Sequence, residues 1–165
     1  MFFAPVILLF LADPAPRDFW IGLPLIVAGE AIRLWASGYL KKLSEVVSAG
    51  PFAFCRNPLY IGSFLISAGY FVMCSRWYIL AAGTVLFWIL HGGAVSYEEK
   101  LLKEKFGEQY RSYCESVPRF LPIIRTARGN GSFSLQQVML NNEFRSAAGA
   151  LFMTILFGLK AYLEF

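Results

Sequence analysis

Charge is what this chain has least of. Only 16% of its 165 residues are Asp, Glu, Lys or Arg, against roughly a quarter in soluble domains. With 57% hydrophobic residues and a mean hydropathy of +0.53, that deficit excludes an ordinary water-soluble domain and points to the bilayer. Histidine is nearly absent as well. The lone His91 and the scattered Cys55, Cys74 and Cys114, with no C-x-x-C spacing, do not make a zinc centre, so no metal site and no disulfide are expected. His91 reads as a hydrogen-bonded histidine at a helix end. The net charge of +4 fits a bias of basic loops better than nucleic-acid binding. The N-terminal apolar run has no basic n-region and no small-residue cleavage site, which argues against a signal peptide.

What is present is a series of apolar runs. A membrane helix needs about 20 predominantly apolar residues, and four segments come near that: residues 19–40, 59–74, 77–97 and 144–162. Residues 1–12 are too short for a comfortable span. They read as a short first helix, paired with the next through Asp13-Pro14-Ala15-Pro16. The sequence thus predicts an all-α, integral membrane helical bundle of about five membrane-associated helices in a single domain over 1–165. Ser75-Arg76 is so short a connection that its two flanking helices must be antiparallel. Lys41, Lys42 and Arg56 lie in one long loop, and Lys100, Lys103, Lys105, Arg111, Arg119, Arg125 and Arg128 in the other. The positive-inside rule puts both in the cytoplasm.

Two clusters bear on chemistry. The first is Gly50-Pro51-Phe52-Ala53-Phe54-Cys55-Arg56-Asn57-Pro58-Leu59-Tyr60-Ile61-Gly62, a rigid, cationic loop at the mouth of an apolar helix. Pro58 suits a first helical turn, with Asn57 as N-cap. The dipole end and free N–H groups of such a helix suit a carboxylate or phosphate. Gly50 and Gly62 permit close approach of a ligand or a facing helix. The second cluster starts at Glu98-Glu99. Leu101, Leu102, Phe106, Tyr110 and Tyr113 recur every three or four residues, which predicts an amphipathic, cytosolic continuation of the fourth helix with a bend at Gly107. Adjacent residues diverge by about 100° on a helix, so only one of Glu98 and Glu99 can face the bundle. Val117-Pro118-Arg119-Phe120-Leu121-Pro122 is a stiff, arginine-bearing loop. Residues 125–142 read as a polar cytosolic linker. In the second helix, Glu30 and Arg33 share a face. They are expected either to pair with each other or to send Arg33 toward a site.

These clusters resemble the membrane-embedded methyltransferases that include isoprenylcysteine carboxyl methyltransferase and phosphatidylethanolamine N-methyltransferase. That family's pattern is a Gly-Pro stretch, Arg-His-Pro-x-Tyr-x-Gly, Glu-Glu-x-x-Leu, Phe-Gly-x-x-Tyr and Arg-x-x-Pro. It reads here as Gly50-Pro51, Arg56-Asn57-Pro58-Leu59-Tyr60-Ile61-Gly62, Glu98-Glu99-Lys100-Leu101-Leu102, Phe106-Gly107-Glu108-Gln109-Tyr110 and Arg119-Phe120-Leu121-Pro122, over a core of about 33–122. The resemblance implies S-adenosylmethionine as cofactor, bound by Asn57, Pro58, Leu59, Tyr60, Gly62, Glu98, Glu99 and Arg119, with Arg119 and Glu99 catalytic. It also implies a lipid or lipophilic acceptor entering from the membrane, with no nucleic acid involved. Asn57 departs from the pattern's histidine and cannot act as a base near neutral pH. Methyl transfer can proceed on positioning alone.

Two other readings stand beside this one. Sterol reductases that use NADPH carry a similar motif, but Leu59 replaces their asparagine and Ser63 their acid. A non-catalytic membrane subunit would keep the fold without the reaction.

Overall fold

The computed structural model describes residues 3–41, 44–123 and 129–163. Among them the chain is all-helical: α1 (Phe3–Leu11), α2 (Pro16–Tyr39), a 3₁₀ turn (Gly50–Ala53), α3 (Pro58–Met73), α4 (Trp77–Ser116), α5 (Leu135–Leu140) and α6 (Glu143–Leu163). The helices fall where the apolar runs predict them, within a few residues. Three are long and apolar enough to cross a membrane: α2, α4 and α6. The fourth predicted span, α3, has 16 residues, about 24 Å at 1.5 Å per residue. Membrane helical bundle is therefore the architecture.

The core of the bundle is the antiparallel pair α2–α3. It rests on four glycines whose partners no local pattern reveals. A Cβ on Gly22 would stand 2.5 Å from the Gly69 carbonyl oxygen, and one on Gly29 2.6 Å from that of Gly62. The reverse contacts, from Gly69 to Gly22 and from Gly62 to Gly29, would be 2.8 and 2.7 Å. The two backbones thus lie in direct contact, as small residues allow in membranes, where packing rather than hydrophobicity drives association. Around this seam Ile26, Tyr70, Met73, Met153 and Phe157 form a buried core with Ala12 and Cys74.

α6 runs antiparallel to α2 and is pinned at both ends. Arg33 Nε donates to Glu143 Oε1 at 2.6 Å, and Trp20 Nε1 to the Tyr162 hydroxyl at 2.8 Å. At the first of these ends Arg33 also donates to the Ser63 hydroxyl. Arg33 therefore pairs with α6 and α3, and the mutual Glu30–Arg33 pair is not the one that forms. Glu30 Oε2 is buried with no hydrogen-bond partner. These contacts, with the Lys160–Leu9 bond at the opposite end, put 44–57, 117–123 and 129–142 at one end of the bundle and the 12–15 and 74–76 turns at the other.

α4 is a single 40-residue element with non-helical geometry at Gly107 (φ 50°, ψ −122°), which is the expected bend. Beyond Tyr97 its apolar face carries Tyr110 and Tyr113 into a second core with Val46 and Val117. The amphipathic continuation is thus real.

The segment predicted as a linker is not featureless. Its first residues, with Arg125 and Arg128, lie outside the described residues, as does Lys42. From 129 on it is packed. Ser48 and Asn130 exchange hydrogen bonds, and Phe133 fills the space beside Gly38. Val138 on α5 is buried. Asn141 Nδ2 donates to the Ser37 and Leu40 carbonyls, both at 2.9 Å, and so closes the orphan end of α2. Most of its side chains stay exposed, while Asn141 serves as a cap for α2.

Candidate active site

The two sequence clusters meet, and they are joined first through backbone. The Arg56 N–H donates to the Pro118 carbonyl at 2.9 Å, and the Ile123 N–H to the Phe54 carbonyl at 3.1 Å. Tyr113 adds a hydroxyl bond to the Phe52 carbonyl at 2.7 Å. Pro51 within the 3₁₀ turn and Pro58 at the start of α3 stiffen the first segment, and Pro118 and Pro122 the second.

Glu99 sits at the centre. It is buried, whereas Glu98 is exposed, which settles which of the two faces the bundle. Asn57 Nδ2 donates to Glu99 Oε1 at 3.0 Å and to the Arg119 carbonyl at 3.2 Å. Arg119 Nε lies 3.2 Å from Glu99 Oε2 and Arg56 Nε 3.7 Å from Oε1. Both are ion-pair contacts without hydrogen-bond alignment, and both Nε atoms are buried and lack a hydrogen-bond partner. Arg119 is anchored further by Nη2 to Ser96 at 2.9 Å. Asn57 does occupy the N-cap position of α3, but its side chain caps nothing. It is turned away to bridge Glu99 and the arginine loop. Pro58 has no N–H, and the Tyr60 and Ile61 N–H groups both point at the Asn57 carbonyl. The helix end thus offers fewer donors than expected.

Beside this cluster is a pocket lined by Asn57, Pro58, Leu59, Tyr60, Glu98 and Glu99. Six of the predicted site residues therefore share one wall. Arg119 is not among its lining residues and meets the site through its ion pair with Glu99. Gly62 is not in it either. It faces α2, where a Cβ would meet Arg33 Cγ at 2.6 Å and the Gly29 carbonyl oxygen at 2.7 Å. Its smallness serves helix packing. Residues not singled out for the site complete the pocket: Arg56, Phe52, Tyr110 and Tyr113, with Glu45 and Val47 from the first loop. Arg56 was legible as part of the motif. The tyrosines were legible only as an amphipathic face. Burial pushes both tyrosine hydroxyls far above the ordinary phenol range, so neither is a base near neutral pH. The enclosed space is narrow, about 110 Å³.

A second, larger cavity of about 810 Å³ lies among α2, α3, α4 and α6. It exists because α4 packs on α3 and stands away from α6. Most of its wall is apolar, including Ile66, Phe71, Ile79 and Leu86, while Arg33, Ser63 and Arg145 mark its polar end. The two cavities share a partition. Tyr60 lines the first and His91 the second, and their rings touch edge to face with centroids 6.0 Å apart.

The sequence pattern of the phospholipid methyltransferase family matches residues 18–109. Among similar proteins, a nickel-cobalt-cadmium resistance protein of Alcaligenes xylosoxydans xylosoxydans is 26% identical over 147 residues, 84% of this chain and 68% of that protein. A cobalt-zinc-cadmium resistance protein of Cupriavidus metallidurans is 26% identical over 117 residues, 70% of this chain and 52% of that protein. Protein-S-isoprenylcysteine O-methyltransferase B of Arabidopsis thaliana is 31% identical over 123 residues, covering 66% and 62%. The chain spans between about half and two thirds of the length of these relatives. With more than half of the chain, from the start of α2 to the bend of α4, inside the family pattern, this protein belongs to the phospholipid methyltransferase family.

Proposed function

We propose that the chain transfers a methyl group from S-adenosylmethionine to a lipid or lipophilic small molecule at the cytoplasmic face of a membrane it crosses several times. The observation that carries this reading is the ring contact between Tyr60, in the pocket that holds the charged motif residues, and His91, in the larger apolar cavity. A water-borne donor and a membrane-borne acceptor could meet there. The donor is a nucleoside sulfonium with a zwitterionic amino-acid end, and the pocket chemistry fits it. Arg56, whose buried Nε makes no hydrogen bond, would take the carboxylate. The apolar and aromatic faces of Val47, Phe52 and Tyr110 would take the base. Glu45 or Glu98 would accept from the amino and ribose groups. When bound, the sulfonium supplies an electrophilic methyl group. This chain's residues orient it and exclude water, while Glu99 and Arg119 hold the Asn57–Leu59 wall in place. The narrow enclosed space requires the walls to part on binding.

Equilibrium binding to the purified full chain provides the test. S-adenosylmethionine should bind, and NADPH should not. Binding of NADPH would favour a reductase, and binding of neither a non-catalytic subunit. Membrane sidedness has its own test. Cysteines introduced at Lys41 and Ser132, exposed at the site end, should be labelled from the cytoplasm, and one at Arg17 from the far side. Labelling of Lys41→Cys and Ser132→Cys from opposite sides would overturn the topology.

A further inference from the structure

His91 is the only histidine in the chain, and the family motif lacks its histidine here because Asn57 stands in that place. The structure puts the sole imidazole in the partition described above. His91 lines the larger apolar cavity and touches Tyr60, which lines the pocket of the motif residues. Its ring is fixed in two ways. It stacks on Phe87 with centroids 4.0 Å apart, and Nδ1 lies 2.9 Å from the Phe87 carbonyl oxygen. A carbonyl only accepts, so Nδ1 carries a proton, and in the neutral imidazole the lone pair is on Nε2. Nε2 has no hydrogen-bond partner among the described residues. A fixed imidazole with one nitrogen free of protein partners, on a residue that lines an apolar cavity, is the arrangement of a general base.

Resting on the methyl-transfer reading, we infer that His91 Nε2 accepts the proton released by the acceptor, and that the acceptor is an amphiphile headed by an N–H or S–H nucleophile. The nitrogen or sulfur of the head forms its bond to the methyl carbon as the carbon–sulfur bond of the sulfonium breaks, leaving a neutral thioether. The electron pair of the N–H or S–H bond stays on the acceptor. The proton passes to Nε2, and the imidazolium later returns it to water. A carboxylate head has no proton to lose and needs no such group. The ionisable groups that face this site are Tyr60 and Tyr70 from α3, Tyr78 and Glu98 on α4, Glu30 and Arg33 across the cavity on α2, and Arg145 on α6.

The test uses the full-length protein in lipid nanodiscs, radiolabelled S-adenosylmethionine and three acceptors of equal chain length, headed by an amine, a thiol and a carboxylate. His91→Gln and His91→Phe should bind the donor within twofold of wild type. Their turnover of the amine or thiol should fall on the order of a hundredfold near neutral pH, the scale of general-base catalysis. That deficit should shrink as rising pH deprotonates the acceptor itself, while any carboxylate turnover stays unchanged. Wild-type methylation of the carboxylate alone would overturn the role of His91 and leave the methyl-transfer reading standing. So would amine and thiol turnover within threefold of wild type in His91→Gln, or an equal loss on every acceptor. A wild-type protein that binds donor but methylates none of the three would overturn both.

Discussion

Gly62→Leu should cost the protein its fold, and with it any activity. The Cβ alone would meet the Gly29 carbonyl oxygen at 2.7 Å and Arg33 Cγ at 2.6 Å. The first is backbone and cannot step aside, so the α2–α3 seam must open. Overpacking usually costs about 1–3 kcal/mol where side chains can shift, and here the penalty should exceed the upper end of that range. Gly29→Leu, across the same contact, should behave alike. Ile61→Leu, a volume-conserving neighbour, should cost less than about 1.5 kcal/mol. At Gly92 a Cβ meets nothing within 4 Å, so Gly92→Ala should be tolerated. Detergent-solubilised yield and thermal unfolding midpoint would measure all four. A Gly62→Leu protein that unfolds like wild type but fails to bind donor would return Gly62 to the pocket wall, where the motif alone suggests it.

Removing Glu99 should have the second-largest effect, and on stability and binding together. Its side chain is 10% exposed and faces both Arg56 and Arg119. Glu99→Ala would leave two guanidinium groups near each other without a counter-charge and would strip Asn57 of an acceptor. Breaking a buried pair by removing one partner typically costs about 3–5 kcal/mol. Arg119 is 39% exposed, so water relieves part of this, and a loss near the lower end is expected. Glu99→Gln keeps an oxygen for Asn57 and should lose clearly less stability. Arg119→Ala should lower donor affinity through Glu99 while costing the fold less than Glu99→Ala does. Denaturant unfolding paired with donor titration would check the order. Equal stability of Glu99→Ala and wild type would mean that the ion cluster does not hold the two segments together.

How far the sequence reaches depends on whether a feature is local. The long apolar runs, the antiparallel turn at Ser75 and the bend at Gly107 each follow from a few consecutive residues, and each is legible. The convergence of residues 50–62 with 98–122 is legible too, because both clusters carry turn chemistry that plain membrane helices do not need. Side-chain direction is another matter. Asn57 reads as a cap from its position, yet its amide is spent on Glu99 and the Arg119 carbonyl, 42 and 62 residues away. Gly62 reads as a ligand-side glycine until its opposite number, Gly29, is known. Arg119 reads as a pocket residue because the sequence cannot show that it meets the site through its ion pair with Glu99. The segment before α6 looks like a linker because its ordering contacts, Phe133 beside Gly38 and Asn141 on the end of α2, come from more than 90 residues away.

The Arg33–Glu143 contact also says something about the order of assembly. Its partners are 110 residues apart, and Glu143 belongs to the last helix. While the ribosome is still extending the chain, α2 must enter the bilayer before that carboxylate exists. The acid then within reach is Glu30, one turn back on the same face. The pair suggested by the sequence would serve as a temporary neutralisation, exchanged for the lasting one when α6 arrives. On that order of assembly, Glu30 would be left with the unpartnered oxygen it has in the finished bundle.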